Sequence, residues 1–135
     1  IHSIKDAVGD LEFSKNELEV LKGKVDIYSG NDAETIEFMK MGGKGVVSVA
    51  SHVVGNEIHD LINHVLNDEI ESAEHLQNQL LPLFDLLFEE PSPGPVKYLL
   101  TKTWEDVGSP LMPITDISNE LANKLLDNFQ KIKNN

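Results

Sequence analysis

The chain has 135 residues and a mass of 15.0 kDa, and 40% of its residues are apolar, enough for one domain with a packed core and too apolar for a disordered polymer. Eleven Lys and Arg against 23 Asp and Glu give a formal charge of −12, which argues against a nucleic-acid binder or an anionic-membrane binder, since both need clustered cations. There is no Cys, which excludes disulfides and thiolate chemistry, and no apolar run reaches the ~20 residues that span a bilayer.

Ile1 to Ala7 reads as a strand that starts in mid-hydrophobic register without an initiator Met, so the chain is expected to be cut from a longer protein. After Gly9 a helix runs from about Asp10 to Lys22, with Leu11, Leu18 and Leu21 as its buried stripe and Gly23 as its stop. Val25 to Ser29 is a second strand, and Gly30-Asn31-Asp32 a turn in which Asp32 is placed to cap the next helix. That helix turns Ile36 and Met39 inward and ends at Gly42-Gly43. Gly45 to Ala50 reads as a third strand, apolar enough to be buried on both faces. A helix with Ile58, Leu61, Ile62, Val65 and Leu66 at 3.6-residue spacing follows.

Near Asn67 the pattern changes to helices alone. Ile70, Ala73, Leu76, Leu80, Phe84 and Leu87 share a helical face, with Pro82 expected to kink it. Pro91-Ser92-Pro93-Gly94-Pro95 is a rigid turn, with Pro95 suited to the first position of a helix carrying Val96, Leu99, Leu100 and Trp104. A Pro-rich loop, Gly108 to Thr115, leads to a last helix with Leu121, Leu125, Phe129 and Ile132, whose Lys131 and Lys133 favour its C-terminus.

Strand–helix repeats predict an α/β fold with a parallel sheet. A repeat of about 20 to 25 residues suits a (β/α)8 barrel, which needs about 250 residues in all. Three such units cannot close one. The chain therefore divides into 1–67, part of a barrel, and 68–135, a helical C-terminal domain.

Lys5 is the chemically suggestive residue. Between Ile4 and Ala7 it is expected to point into a poorly solvated site, where the ammonium form is disfavoured and a free amine can attack a carbonyl to form a Schiff base. The plain alternative is an edge-strand lysine whose head group reaches water.

Several ordered segments carry a family likeness: Ile4-Lys5-Asp6-Ala7-Val8-Gly9-Asp10, Ser29-Gly30-Asn31-Asp32-Ala33, Gly42-Gly43-Lys44-Gly45-Val46-Val47-Ser48-Val49, Leu81-Pro82-Leu83, Phe88 to Lys97, and Leu111-Met112-Pro113-Ile114-Thr115. Together the chain resembles the C-terminal half of a dihydrodipicolinate synthase (4-hydroxy-tetrahydrodipicolinate synthase), a pyruvate-dependent class I aldolase. The resemblance implies that Lys5 is the Schiff-base lysine at the end of barrel strand six. It places Gly30 at the end of strand seven, with its backbone lining the substrate pocket, and Val47 on strand eight, with its main-chain carbonyl near the active site. It implies condensation of pyruvate with aspartate semialdehyde on the way to lysine and diaminopimelate, with no metal or organic cofactor. A cytoplasmic homo-oligomer completed by the missing N-terminal half of the barrel is the implied setting.

The sequence departs from the family pattern at Ser3, Ala50, His52, Ser92 and Gly94, and in a shorter loop before Leu111 without the usual Arg. Ala33 favours the synthase over sialic-acid lyases. The proton-relay tyrosines belong to the N-terminal half, and Tyr28 and Tyr98 do not match them, so the chain alone is expected to be inactive. Two other readings stand beside this one: a non-catalytic assembly or domain-swapping unit, and an aldolase of the same family acting on a sugar acid or another keto acid. The five histidines (His2, His52, His59, His64, His75) show no metal-ligand spacing. Gly42 to Gly45 precedes a strand rather than a helix and so is a turn, not a phosphate loop. Asp68, Glu69, Glu71 and Glu74 read as a solvated helix face.

Overall fold

The computed structural model describes residues 1–134. In chain order it contains β1 (Ser3–Asp6), α1 (Leu11–Leu21), β2 (Asp26–Ser29), a 3-10 turn (Asp32–Glu34), α2 (Thr35–Lys40), α3 (Ser51–Leu66), α4 (Ile70–Leu86), α5 (Gly94–Thr103) and α6 (Asn119–Lys133).

β1 and β2 pair in parallel, with Ile4 opposite Ile27, Lys5 opposite Tyr28 and Asp6 opposite Ser29. A parallel pair needs a crossover connection, and α1 supplies it. Asp10 starts α1 because its carboxylate accepts the amides of Glu12 and Phe13 at 2.9 and 3.1 Å. Gly23 ends it at φ +75°, a conformation open to residues without a Cβ.

The third strand is shorter than its sequence suggests. It shrinks to one parallel bridge, Ser29 to Val46, although the Ser29 amide still reaches the Gly45 carbonyl and the Val47 amide the Ser29 carbonyl. Side chains capture the backbone beyond that point: Asp32 takes the amides of Val49 and Ala50, and Ser48 takes that of Ser51. Side-chain acceptors thus take the place of the sheet ladder beyond Val47. Val47 is 47% exposed, so this segment is not buried on both faces.

The main core lies in the helices. Ile36, Val54, Ile58, Leu61, Leu80, Leu83, Leu99, Leu121 and Leu125 belong to one contiguous cluster in which α3 packs on α4 and α5, and α4 and α5 pack on α6. Ser118 caps α6 by accepting the Leu121 amide, and Pro95 sits in the first turn of α5, where its missing N–H costs nothing. α4 continues through Pro82, while non-helical backbone falls instead at Val54 in α3. Three expected core positions lie outside the core. Leu66 is 69% exposed and Trp104 is 71% exposed, because each sits at the last turn or end of its helix, where nothing packs over it. Leu11 is exposed as well, and Leu18 and Leu21 are only half-buried. Among the described residues no helix is long and apolar enough to cross a membrane.

Candidate active site

Strand alternation decides which side chains meet on the sheet. On β1 and β2, Ile27, Asp6 and Ser29 are buried, with Ile4 half-buried beside them, while Ser3, Lys5 and Asp26 emerge on the opposite, exposed face. Lys5 is therefore solvent-exposed, not held in the poorly solvated setting its apolar neighbours suggest. Ile4 precedes it directly in sequence but points to the other face.

The three residues implied by the family likeness nevertheless converge at one end of the sheet. Gly30 follows β2 directly, and its amide donates to the Asp6 carbonyl at 2.5 Å. A Cβ on Gly30 would stand 2.6 Å from both the Lys5 Cε and the Ala7 Cβ. The lysine stem thus occupies the space that a side chain at Gly30 would need. Val47 joins the same group through its amide bond to the Ser29 carbonyl at 2.8 Å. One exposed amine and two stretches of close backbone meet at the C-terminal ends of parallel strands, where ligands bind in α/β folds.

Two buried carboxylates that sequence reasoning did not assign to the site lie beneath this group. Asp6 is 7% exposed; its carboxylate accepts the Val8 amide at 2.9 Å and the Ser14 hydroxyl, tying the end of β1 to α1. Asp32 is 2% exposed and is not a helix cap. Asn31 caps the 3-10 turn instead, accepting the Ala33 amide at 3.1 Å, while Asp32 reaches across to the segment before α3. A carboxylate that follows a strand-end glycine so closely is the sequence signal that could have marked Asp32 as structural.

Burial, and after it the neighbouring carboxylates, shifts two nearby groups. Burial raises the Glu34 carboxyl above its ordinary range; a hydrogen bond with Asn31 opposes this, and the charges of Asp6 and Asp10 add to it. Glu17 is raised by burial and then by Asp6. A cavity of about 490 Å³ opens beside Gly30, walled by Ala7, Ala33, Phe84 and Phe88. Tyr28 and Tyr98 are both half-buried, and they stand apart: Tyr28 is on β2 near Gly45, Tyr98 on α5. The histidines are dispersed too, His59 beside Asn63, His64 beside Glu69 and His75 beside Gln79. Among the described residues no three His, Asp or Glu side chains gather as metal ligands.

The model of the dihydrodipicolinate synthetase family matches residues 1–132. The chain belongs to that family. Lys5, Gly30 and Val47 all fall inside the matched span. The chain is 37% identical over 125 residues to the 4-hydroxy-tetrahydrodipicolinate synthase of Listeria monocytogenes serotype 4a, covering 93% of this chain and 43% of the relative. It is 38% identical over 120 residues to the synthase of Caldicellulosiruptor bescii, covering 89% and 40%. Among solved structures, the dihydrodipicolinate synthase of Bacillus anthracis superposes with a TM-score of 0.90 at 38% identity, over 96% of this chain and 44% of that one. The enzyme from Cyanidioschyzon merolae, solved with lysine bound, gives 0.93 at 33% identity, over 98% and 45%. The chain thus spans less than half the length of these family members.

Proposed function

We propose that this chain supplies the C-terminal part of a 4-hydroxy-tetrahydrodipicolinate synthase, a lyase that condenses pyruvate with aspartate semialdehyde. In this reading residues 1–67 are strands six to eight of a (β/α)8 barrel and 68–135 its helical C-terminal domain. The observation that carries it is the contact of Lys5 with Gly30 at the ends of two parallel strands, within a chain of this family.

The Lys5 amine adds to the keto carbon of pyruvate and water leaves, giving an imine. Loss of a methyl proton converts the imine to an enamine, whose carbon attacks the aldehyde. Cyclisation onto the imine carbon then releases Lys5 and yields the product. The protonated imine is the electron sink, so the reaction asks for no metal or organic cofactor. Gly30 and the Val47 carbonyl line the pyruvate pocket. In this reading the proton relay comes from the N-terminal half of the barrel, because imine chemistry needs repeated proton transfers and Tyr28 and Tyr98 do not match the family's relay tyrosines. The protein works in the cytoplasm as a homo-oligomer, with neither nucleic acid nor membrane as partner, and the chain by itself is inactive.

The exposed edge of β1 and the exposed Val8, Phe13 and Val47 support a covering partner at this end of the molecule, the N-terminal half being the one this reading requires. Turnover of pyruvate and aspartate semialdehyde tests the proposal. Activity is expected only when the N-terminal half is present, and it should vanish in Lys5→Arg. Full turnover by Lys5→Arg would overturn it.

A further inference from the structure

We infer that Asp32 is a positioning residue that fixes the main chain of Val47 against Gly30, an inference that rests on the pyruvate-site reading above. Asp32 begins the 3-10 turn that follows Gly30, and that turn is locked internally. The Ser29 hydroxyl accepts the Asn31 amide at 3.0 Å and donates to the Asn31 carbonyl at 3.1 Å. The Thr35 hydroxyl donates to the Asp32 carbonyl at 2.8 Å. From this fixed base the Asp32 Oδ2 accepts the amides of both Val49 and Ala50 at 3.1 Å.

These bonds close a circuit. Ser29 holds Gly45 and Val47 through its own backbone, and Asp32, three residues later, holds Val49 and Ala50. Val47 is clamped from both sides although its segment forms only one ladder bridge. Ala50 is fully buried, so without Asp32 its amide would lack an acceptor away from water, the costly case for a backbone donor. The two oxygens of Asp32 differ. Oδ2 takes both amides, whereas Oδ1 is buried without a partner among the described residues. One oxygen therefore suffices, and an Asn amide oxygen can replace it with the same reach. A role in geometry is thereby separable from a role in charge.

Native-state amide hydrogen exchange on Asp32→Ala, Asp32→Asn and the core control Ile58→Val decides the matter. In Asp32→Ala the amides of Val47, Val49 and Ala50 should exchange about tenfold faster than in the parent, relative to Leu80 and Leu83 in α4. Asp32→Asn should stay within about threefold, because its oxygen still accepts both amides. Ile58→Val should change both sets of amides together. The pyruvate concentration for half-maximal borohydride trapping on Lys5, measured in the chain with the N-terminal half, should rise in Asp32→Ala, return in Asp32→Asn, and stay unmoved in Ile58→Val. If the parent protein traps no pyruvate, the pyruvate-site reading fails while the exchange data still decide the clamp. Equal acceleration of the Val47 and α4 amides in Asp32→Ala would overturn the inference. So would loss of Val47 protection in Asp32→Asn, which keeps the test decisive if the alanine variant does not fold.

Discussion

The two ends of the chain are held in different ways. From Ile36 onward the helices share one apolar cluster, with Leu61, Leu80, Leu83, Leu87, Leu99 and Leu125 fully buried. β1 and α1 give nothing to that cluster; α1 buries only Ser14, and Val8, Phe13 and Val20 are 50 to 68% exposed. The segment that carries Lys5 is fixed by hydrogen bonds instead: the ladder to β2, the Asp6 carboxylate on Val8 and Ser14, and the Gly30 amide on Asp6. The lesson is that the reactive end is organised by directional polar contacts on an apolar body that lies elsewhere. Such contacts specify position while contributing little net stability.

That contrast can be broken at either end. The largest effect is expected in the helical core: Leu80→Ala, at a fully buried position, should cost about 2–5 kcal/mol in urea unfolding. A smaller loss would mean the cluster is looser than its burial indicates. Next comes Gly30→Ala, whose new methyl meets the Lys5 Cε and Ala7 Cβ at 2.6 Å. It should cost about 1–3 kcal/mol and displace the lysine, seen as faster exchange of the Gly30-region amides. A fully tolerated alanine would show that Lys5 and Gly30 are not pressed together.

A pH effect sharpens the picture at the acidic patch under β1. The Glu34 carboxyl titrates above its ordinary 4.5 in the folded chain, chiefly through burial. The folded state therefore binds this proton more tightly than the unfolded state, and stability falls as pH rises from about 4.5 through the raised value. Glu34→Gln should accordingly raise the melting temperature at pH 7 and give no gain at pH 4; the reverse pattern would contradict the burial assigned to Glu34. The smallest effect is expected at Val20→Ala, within about 0.5 kcal/mol, since Val20 is 68% exposed.

Much of the fold was legible in the sequence, and the misses share a cause. The helical stripes of α3, α4 and α6 were readable because 3.6-residue periodicity reports burial directly, and Ile58, Leu61, Ala73, Leu80, Phe84, Leu121 and Leu125 are all buried. α1 has the same periodicity, but packed against α2 it fully buries only Ser14 and leaves Leu11 exposed. Gly45 to Ala50 looks like a strand by composition, yet Asp32, 17 residues before Val49, draws the amides of Val49 and Ala50 away. Such long-range capture leaves no mark in local pattern. Of the two readings the sequence leaves open for Lys5, its exposure matches the lysine whose head group reaches water, because alternate residues on a strand face opposite ways. The juxtaposition of Lys5, Gly30 and Val47 came from the family likeness, not from periodicity, because three strand ends meet only once the fold is known.

The most direct measurement is mass mapping after pyruvate and borohydride treatment of the chain with its N-terminal half. A single reduced adduct on the peptide carrying Lys5, absent in Lys5→Arg, is the expected result. An adduct on Lys15, Lys24 or Lys44 instead, or none at all, would contradict the assignment of Lys5 as the imine-forming residue.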